Sequence, residues 1–482
     1  MKNELSSTSA YTAVNLTEKD IINRHVSDLG QYRAVVTEKQ SKLPSMYWLP
    51  KLHKSPYKAR FIANSSTCTT TNISILLTSC LTAVKEHIVR YCNKTYENSG
   101  INLFWSIKNS GEVLQKIHNK RFHATSFSTY DFSTLYTTLP HNLIKDRLIP
   151  LIKKTFAREE SYFLACNKEK AFFTNENFDH YTMWTCAEVC AALTFLLDNI
   201  YVCFNDTVYR QVVGIPMGTN CAPLVADLFL YCYERDFMLS LSPTTDREVI
   251  DAFNHTSRYL DDIFNIDNPF FESKIASIYP KELKLIKANN SDTVASFLDL
   301  HLSIINGVIH TKIYDKRDDF DFDIVNYPHL DGDVPRATSY GVYISQLNRF
   351  ARACSAVGDF NYRNRVITAK LLGQGFRYHK LRRTFTKFYR KNNTLLEKYH
   401  TSLKVLLKEG ISQPSFYGDV VYKLRRISGL VDFSNRFTKL IGKYVGKGYD
   451  PLILQCTACL VIDPFTVNNH ASLFGGTTTR QN

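Results

Sequence analysis

In the stretch TSRYLDDIFNID, Thr256–Asp267, two adjacent carboxylates interrupt what otherwise reads as a short apolar β-run. Successive residues of a strand point to opposite faces. Asp261 and Asp262 therefore converge only if the chain turns tightly between them and presents both at a hairpin tip. A third carboxylate, Asp131, ends a β-run in TSFSTYDFSTLYTTLP, Thr125–Pro140. Laid side by side in one sheet, that strand end and the hairpin tip bring three carboxylates to one edge, the hard oxygen donors that divalent cations take. Two such ions about 4 Å apart activate a hydroxyl and stabilise the leaving oxygens of an in-line phosphoryl displacement. The ions' charge dominates a site of this kind, so the acids serve as ligands rather than as a general acid–base pair.

The elements that must position these residues can be read around them. Tyr47–Ser66 reads as strands broken by Pro50 and Pro56, carrying Lys51, Lys54, Lys58 and Arg60. A helix capped by Asn72 or Ser74 continues through Ile88 and Val89. Another, from about Thr185 to Ile200, leads into YVCFNDTVYRQVVGIPMG, where Asn205-Asp206 between alternating runs marks a two-residue hairpin. APLVADLFLYCYERDFM after Gly218 is helical, and a further hairpin turns at Asn306-Gly307. From Tyr340 to about Gly448 the pattern is helical and basic. Strands and helices mix without βαβ regularity or internal repeats, which predicts an α+β fold. At 482 residues the chain should hold two to four subdomains.

An apolar content of 44% with 13% aromatics excludes a disordered chain. The net charge of +14 is concentrated: residues 361–410 hold 13 Lys and Arg against Glu397 and Glu409. A polyanionic partner is the natural reading of such a block, with a solubilising helix face as the alternative. The twelve cysteines form no regular framework and the N-terminus has no apolar signal core, so free thiols in a reducing compartment are expected. Cys456-Thr-Ala-Cys459 is a lone C-x-x-C without a second pair near it. The longest apolar run, Ile73–Val84, is too short to span a bilayer.

A Tyr-x-Asp-Asp pattern alone is weak, and order strengthens it. Basic strand segment, Asp strand, glycine-containing turn with helix, Asp-Asp hairpin, apolar hairpin and basic helices follow one another as in the right-hand polymerase series of reverse transcriptases. YDFSTLY resembles their first catalytic motif, QVVGIPMGTNCAPLVADLFL the second, RYLDDIF the third, and FLDLHLSI the hairpin that grips the primer end. The sequence most resembles the reverse transcriptases of Penelope-like retroelements, allied to telomerase catalytic subunits, through LPKLHK, LYTTLP, GIPMGTNCAP, FLDL and ISQLNRFARACS. The resemblance runs from about Tyr47 to Gly448. Many Penelope-like proteins continue into a GIY-YIG endonuclease; none is expected here, since YGVYIS (Tyr340–Ser345) precedes the basic helices and has no nuclease residues behind it.

The resemblance implies an RNA-directed DNA polymerase with a right-hand fold. Its parts would be an N-terminal segment and fingers over 1–124, a palm over 125–335, a basic helical thumb over 336–448 and a tail over 449–482. Asp131 and Asp261 would be direct metal ligands, with the Phe132 carbonyl, and Asp262 a weaker ligand or supporting carboxylate. The metal would be Mg²⁺, two ions, with Mn²⁺ able to substitute. Tyr136 matches the bulky residue beneath the incoming sugar. Gln211, Gly214, Met217 and Gly218 match the turn that supports template base and nucleotide. Arg60 matches the residue that clamps the triphosphate, with Lys51 and Lys54 beside it. Phe297, Leu298 and Asp299 match the primer grip, and Lys380, Arg382, Arg383, Lys387 and Arg390 would follow the template–primer backbone. Partners would be an RNA template, a DNA primer and dNTPs, with a separate endonuclease able to nick the target. The protein would be made in the cytoplasm and act in the nucleus, neither secreted nor in a membrane, and its oligomeric state is left open.

Plainer readings stay beside these. Asp131 could be a strand-end Asx turn, Tyr136 and Tyr259 core aromatics, Gly214 and Gly218 ordinary turn glycines, and Lys51 and Lys54 solvent-facing. Two rival functions also stand: a catalytically inactive nucleic-acid-binding descendant, and an RNA-dependent RNA polymerase.

Overall fold

A computed structural model of the protein describes residues 5, 10–51, 58–119, 123–320, 322, 324, 326–412 and 439. The chain divides into two compact units, 1–309 and 310–482. Lys54, the helical pattern between 413 and 448, and Cys456 with Cys459 lie outside the described residues.

The first unit mixes helices with antiparallel sheets, the α+β fold that the patterning predicts. Its strands are β1 (Tyr11–Ala13), β2 (Ser45–Lys51), β3 (Lys58–Asn64), β4 (Phe127–Phe132), β5 (Phe163–Cys166), β6 (Ala171–Thr174) and β7 (Thr182–Thr185). They continue with β8 (Tyr201–Phe204), β9 (Thr207–Gln211), β10 (Ser257–Tyr259), β11 (Asp262–Ile266), β12 (Leu285–Lys287), β13 (Val294–Phe297) and β14 (Leu300–Ile305). One sheet has the order β1-β9-β8-β2-β3 and a second β10-β11-β4-β12. A small sheet, β6-β5-β7, leads into the helix Cys186–Asp198.

Pro50 does not break its strand. It lies inside β2, opposite Ala59 of β3. The other neighbour of β2, β8, pairs with it only at Ser45, so β2 is paired on one side only at Pro50, the edge setting in which strands accept proline. The Asn205-Asp206 hairpin is present between β8 and β9, and Asn205 takes φ 53°. Asn306 and Gly307 turn through φ 51° and 77°, as a two-residue turn of Asn-Gly type favours.

Helices Thr71–Ser99, His141–Glu159, Cys186–Asp198 and Ala222–Ser240 share one core with Tyr130 and Phe132 of β4 and Ile263 of β11. The first of these buries Ile73, Leu77, Leu81, Val84 and Ile88 as a helical stripe and stops at Gly100 in the left-handed region, φ 67°. Thr185 starts the third with a reciprocal capping box to Glu188. Pro223 opens the fourth, which is apolar almost all round yet buries Asp227 and Glu234. No disulfide joins the described cysteines. No described helix is long and apolar enough to cross a membrane.

The second unit is helical over Arg336–Ala353, Val357–Gly373 and Tyr378–Lys391. Tyr340–Ser345 lies inside the first of these helices. Tyr378–Lys391 buries Leu381, Phe385 and Phe388 and leaves His379, Arg383, Lys387, Arg390 and Lys391 exposed. Positions 383, 387 and 390 follow the helical period, so Arg383, Lys387 and Arg390 form a cationic stripe on the exposed face. Lys380 and Arg382 are half-buried and lie over the rings of Tyr340 and Tyr378, at 5.9 and 5.7 Å. The five-residue basic cluster thus separates into three open cations and two that pack on aromatic faces.

Candidate active site

The antiparallel register sets Asp262 of β11 directly opposite Asp131 of β4. Directly opposed residues of an antiparallel pair share a face, and Ile286 of β12, on the other side of Asp131, is likewise exposed. Asp131 is exposed between buried Tyr130 and Phe132, while Phe127 and Thr129, which alternation places on its own face, are buried, so its place near the strand end rather than alternation keeps it out of the core. The hairpin tip differs from the expectation of an Asp261-Asp262 turn. Tyr259 and Asp262 close the ladder, the chain reverses at Leu260 and Asp261, and Asp262 is the first residue of β11 rather than part of the tip. The Phe132 amide donates to the Asp261 carbonyl at 3.0 Å, which brings the turn against the end of β4.

The donor chemistry and the backbone placement fit a divalent cation: two carboxylates on opposed strand ends, Asp131 and Asp262, and a third, Asp261, on the turn beside them. Among the described residues, no three His, Cys, Asp or Glu side chains are gathered round a common point. The carboxylates are neighbours on the backbone rather than a closed cage.

A cleft of ≈ 270 Å³ opens beside them. Its lining includes Lys51, Arg60, Asp131, Phe132, Tyr136, Gln211, Met217 and Asp261. Eight residues from separate stretches of sequence thus meet in one place. Arg60 is exposed and Lys51 half-buried, two cationic side chains that share the cleft with the acids.

The segment 211–218 is tied down on both sides. The amides of Gly214 and Ile215 donate to the carbonyls of Leu139 and Tyr136, each at 2.7 Å, and the Ala63 amide donates to the Met217 carbonyl at 2.9 Å. His141 Nε2–H donates to the Gly214 carbonyl at 2.6 Å. Gly214 has φ 85°, and a Cβ there would lie 2.6 Å from the Tyr136 carbonyl oxygen. Gly218 has φ 124° and passes still closer to the Ala63 carbonyl. These glycines do more than turn the chain, because backbone meets backbone at both. Gly218→Ala is expected to lower the unfolding free energy by about 2–3 kcal/mol through left-handed strain and steric conflict. Urea unfolding checks this, and an unchanged midpoint would show that β3 yields to the methyl group.

Gln211 is buried, with its Nε2 donating to the Val213 carbonyl at 2.9 Å. Its Oε1 has no protein donor, although buried amide oxygens are normally satisfied. Tyr136 lies on the one-turn helix Leu135–Thr138. Its phenol is pushed up to about 12, first by burial and then by the negative charges of Asp261 and Asp227, so it is a neutral ring near the acids at any ordinary pH.

The turn between β13 and β14 consists of Leu298, at φ 55°, and Asp299. Phe297, grouped with them by resemblance, is instead buried and stacked on Phe264 of β11 at 5.2 Å. Its role is to anchor the turn from beneath, leaving Leu298 and Asp299 to present its tip.

Other residues join the site without a motif to mark them. Thr134, a cleft residue at φ 61°, is β-branched and left-handed, an outlier of the kind that gathers at functional sites. Tyr11 and Met46 also line the cleft. Arg258, completely buried, is ion-paired to Asp227 and Glu234. These acids leave a sign in the sequence: two carboxylates seven residues apart on an otherwise apolar helix face demand a buried cation.

No protein-family model matches the chain, and no curated protein matches it. Among solved structures it is similar to telomerase from Candida albicans in complex with a fragment of telomeric RNA, with a TM-score of 0.49, 12% identity, 91% of this chain covered and 74% of that one. It is also similar to apo telomerase from Candida tropicalis, with a TM-score of 0.41, 12% identity and coverages of 95% and 78%. A third is the Sicinivirus 3Dpol RNA dependent RNA polymerase, with a TM-score of 0.36, 11% identity and coverages of 82% and 74%.

Proposed function

We propose that the protein is a right-hand nucleic-acid polymerase that extends a primer 3′-hydroxyl with dNTPs on an RNA template, the reverse transcriptase of a Penelope-like retroelement. The observation that carries this reading is the placement of Asp131 and Asp262 as opposed strand partners with Asp261 on the adjoining turn, where Asp131 and Asp261 line a cleft shared by Tyr136, Gln211, Arg60 and Lys51.

Asp131 and Asp261, with the Phe132 carbonyl, would hold two Mg²⁺ ions, and Asp262 would support them. When bound, the ions would lower the pKa of the primer hydroxyl and shield charge on the leaving phosphates. Arg60 and Lys51, which line the same cleft, bind the triphosphate as cations. The neutral ring of Tyr136 lies under the sugar and the Gly214 turn backs it. Oxygen attacks the α-phosphate, the bond to the β-phosphate breaks, and pyrophosphate leaves.

Primer extension by the full chain on RNA and DNA templates, supplied with either dNTPs or rNTPs, tests this. Incorporation of dNTPs on RNA supports it, while incorporation of rNTPs alone would make the protein an RNA polymerase. Template–primer binding without extension would make it a binding protein.

The open stripe on Tyr378–Lys391 serves phosphate contact. Replacing Arg383, Lys387 and Arg390 by Gln should weaken binding for every sequence. The slope of log affinity against log salt should flatten by about 2 to 3, close to one for each phosphate no longer neutralised. A slope equal to that of the wild type would return the stripe to a solvated helix face.

A further inference from the structure

Arg258 lies on β10, three residues before Asp261, with no exposed surface. Each of its five N–H donors has an acceptor. Nη1 donates to Asp227 Oδ1 at 2.8 Å and to the Leu260 carbonyl at 3.3 Å. Nη2 donates to the Asp227 carbonyl at 3.2 Å and to Glu234 Oε2 at 3.0 Å, and Nε donates to Glu234 Oε1. The acids are held from behind in turn. Lys85 Nζ donates to Asp227 Oδ2 at 2.6 Å and the Tyr279 hydroxyl to Glu234 Oε1 at 2.9 Å. Two cations and two carboxylates balance. The strand is pinned as well, since the Arg258 amide donates to the Trp105 carbonyl and its carbonyl accepts from the Ile107 amide, both at 2.8 Å.

Stability alone is a poor reason for such a network, because apolar residues of similar volume usually stabilise a core as well or better. Its position suggests another reason. Leu260 has φ 53°, a left-handed conformation that a branched, non-glycine residue adopts only where its surroundings impose it. The Leu260 carbonyl is held by Arg258 on one side of the turn, and the Asp261 carbonyl by the Phe132 amide on the other. A planar fork of five donors holds such a geometry, whereas a single ammonium does not.

We infer that Arg258 is a positioning residue: anchored by Asp227 and Glu234 to the helix Ala222–Ser240, it imposes the left-handed turn at Leu260 and so sets the Asp261 carboxylate at the cleft. Its catalytic consequence rests on the polymerase reading, but its structural content does not.

The test compares full-length wild type with Arg258→Lys, Tyr279→Phe, Leu260→Gly and the Arg258→Lys/Leu260→Gly double variant, by amide hydrogen exchange and by primer extension. In Arg258→Lys, exchange should rise about tenfold in peptides covering the 257–263 turn and the Phe132 amide, while the helix Thr71–Ser99 keeps its protection. Turnover should fall about fivefold, with KM for dNTP within about twofold. Glycine takes positive φ without strain, so the double variant should recover most of the lost turnover.

Tyr279→Phe removes one distant hydrogen bond and should loosen the same peptides about twofold, which keeps the question decidable if Arg258→Lys does not fold. Unchanged turn protection in every folded variant of Arg258 or Tyr279 overturns the inference. So does loosening spread evenly over the first unit, which would be a purely structural effect. If wild type extends no primer, the polymerase reading falls, and the exchange data still decide whether Arg258 holds the turn.

Discussion

Asp261→Asn is expected to lower primer-extension turnover by at least about a thousandfold, roughly 4 kcal/mol of transition-state stabilisation, while template–primer affinity stays within about twofold. The substitution keeps the shape of the side chain and removes one negative charge. The contact that seats the turn does not depend on that charge: it is made by the Asp261 carbonyl, which accepts from the Phe132 amide and is untouched. Metal-assisted phosphoryl transfer does depend on it, since an amide oxygen is a far weaker ligand for a hard cation than a carboxylate. Asp131→Asn should behave alike. Asp262→Asn should retain more activity, because Asp262 does not line the cleft that holds the other two. Binding is the internal control, as on the proposed reading it would draw on cations such as Arg383 and Lys387 rather than on the acids. An Asp261→Asn enzyme that extends primers at the wild-type rate would show that Asp261 holds no catalytic metal.

How far the site could be read from sequence depended on whether local chemistry or distant packing decided each feature. The turns at Asn205-Asp206 and Asn306-Gly307 were legible because Asn and Gly accept positive φ by themselves. The tip at Leu260-Asp261 was placed one residue late for the opposite reason. No local rule puts a leucine at φ 53°, and the conformation is imposed through Arg258 by buried groups that are 31 and 24 residues away from it in Asp227 and Glu234.

The β4 strand and its place beside the Asp-Asp hairpin were anticipated from the need to bring the acids together, but the register that opposes Asp131 to Asp262 was not, because it follows from a turn at Leu260-Asp261. Pro50 was misread as a break because its tolerance depends on β8 leaving that part of β2 unpaired. Phe297 belonged to a motif by resemblance, yet whether its ring faces outward or packs on Phe264 is a question of which face of β13 meets the core. Residue types and motif order singled out Lys51, Arg60, Asp131, Tyr136, Gln211, Met217 and Asp261, which the structure places in one cleft. Its closure from six separate stretches, 46–51, 59–63, 131–137, 211–217, 261 and Tyr11, is tertiary structure and was visible only as a likeness of motif order.

Tyr136→Ala is expected to raise rNTP incorporation relative to dNTP by at least about tenfold, or about 1.4 kcal/mol of discrimination. The residue lies five positions after Asp131, just beyond the point where β4 ends at Phe132. Its backbone is held in place by the amide of Ile215 and by the close approach of Gly214, so the ring has a fixed seat in the cleft wall. Its half-buried phenol stays neutral beside Asp261 and presents bulk rather than charge. A deoxyribose fits over such a ring, and a 2′-hydroxyl needs the space it fills; exclusion by collision can separate two substrates more sharply than an added contact. The competing role is that of a core tyrosine, since Tyr136 also packs against the central cluster. Loss of packing alone would slow both sugars equally and lower the melting temperature without changing their ratio. Tyr136→Phe separates the two cases further, because it keeps the ring and should keep the discrimination within about twofold of wild type. Single-nucleotide incorporation kinetics with matched dNTP and rNTP decide the matter: a ratio that rises in the alanine variant and holds in the phenylalanine variant makes Tyr136 the residue that selects the sugar, and equal losses for both sugars assign it to the core.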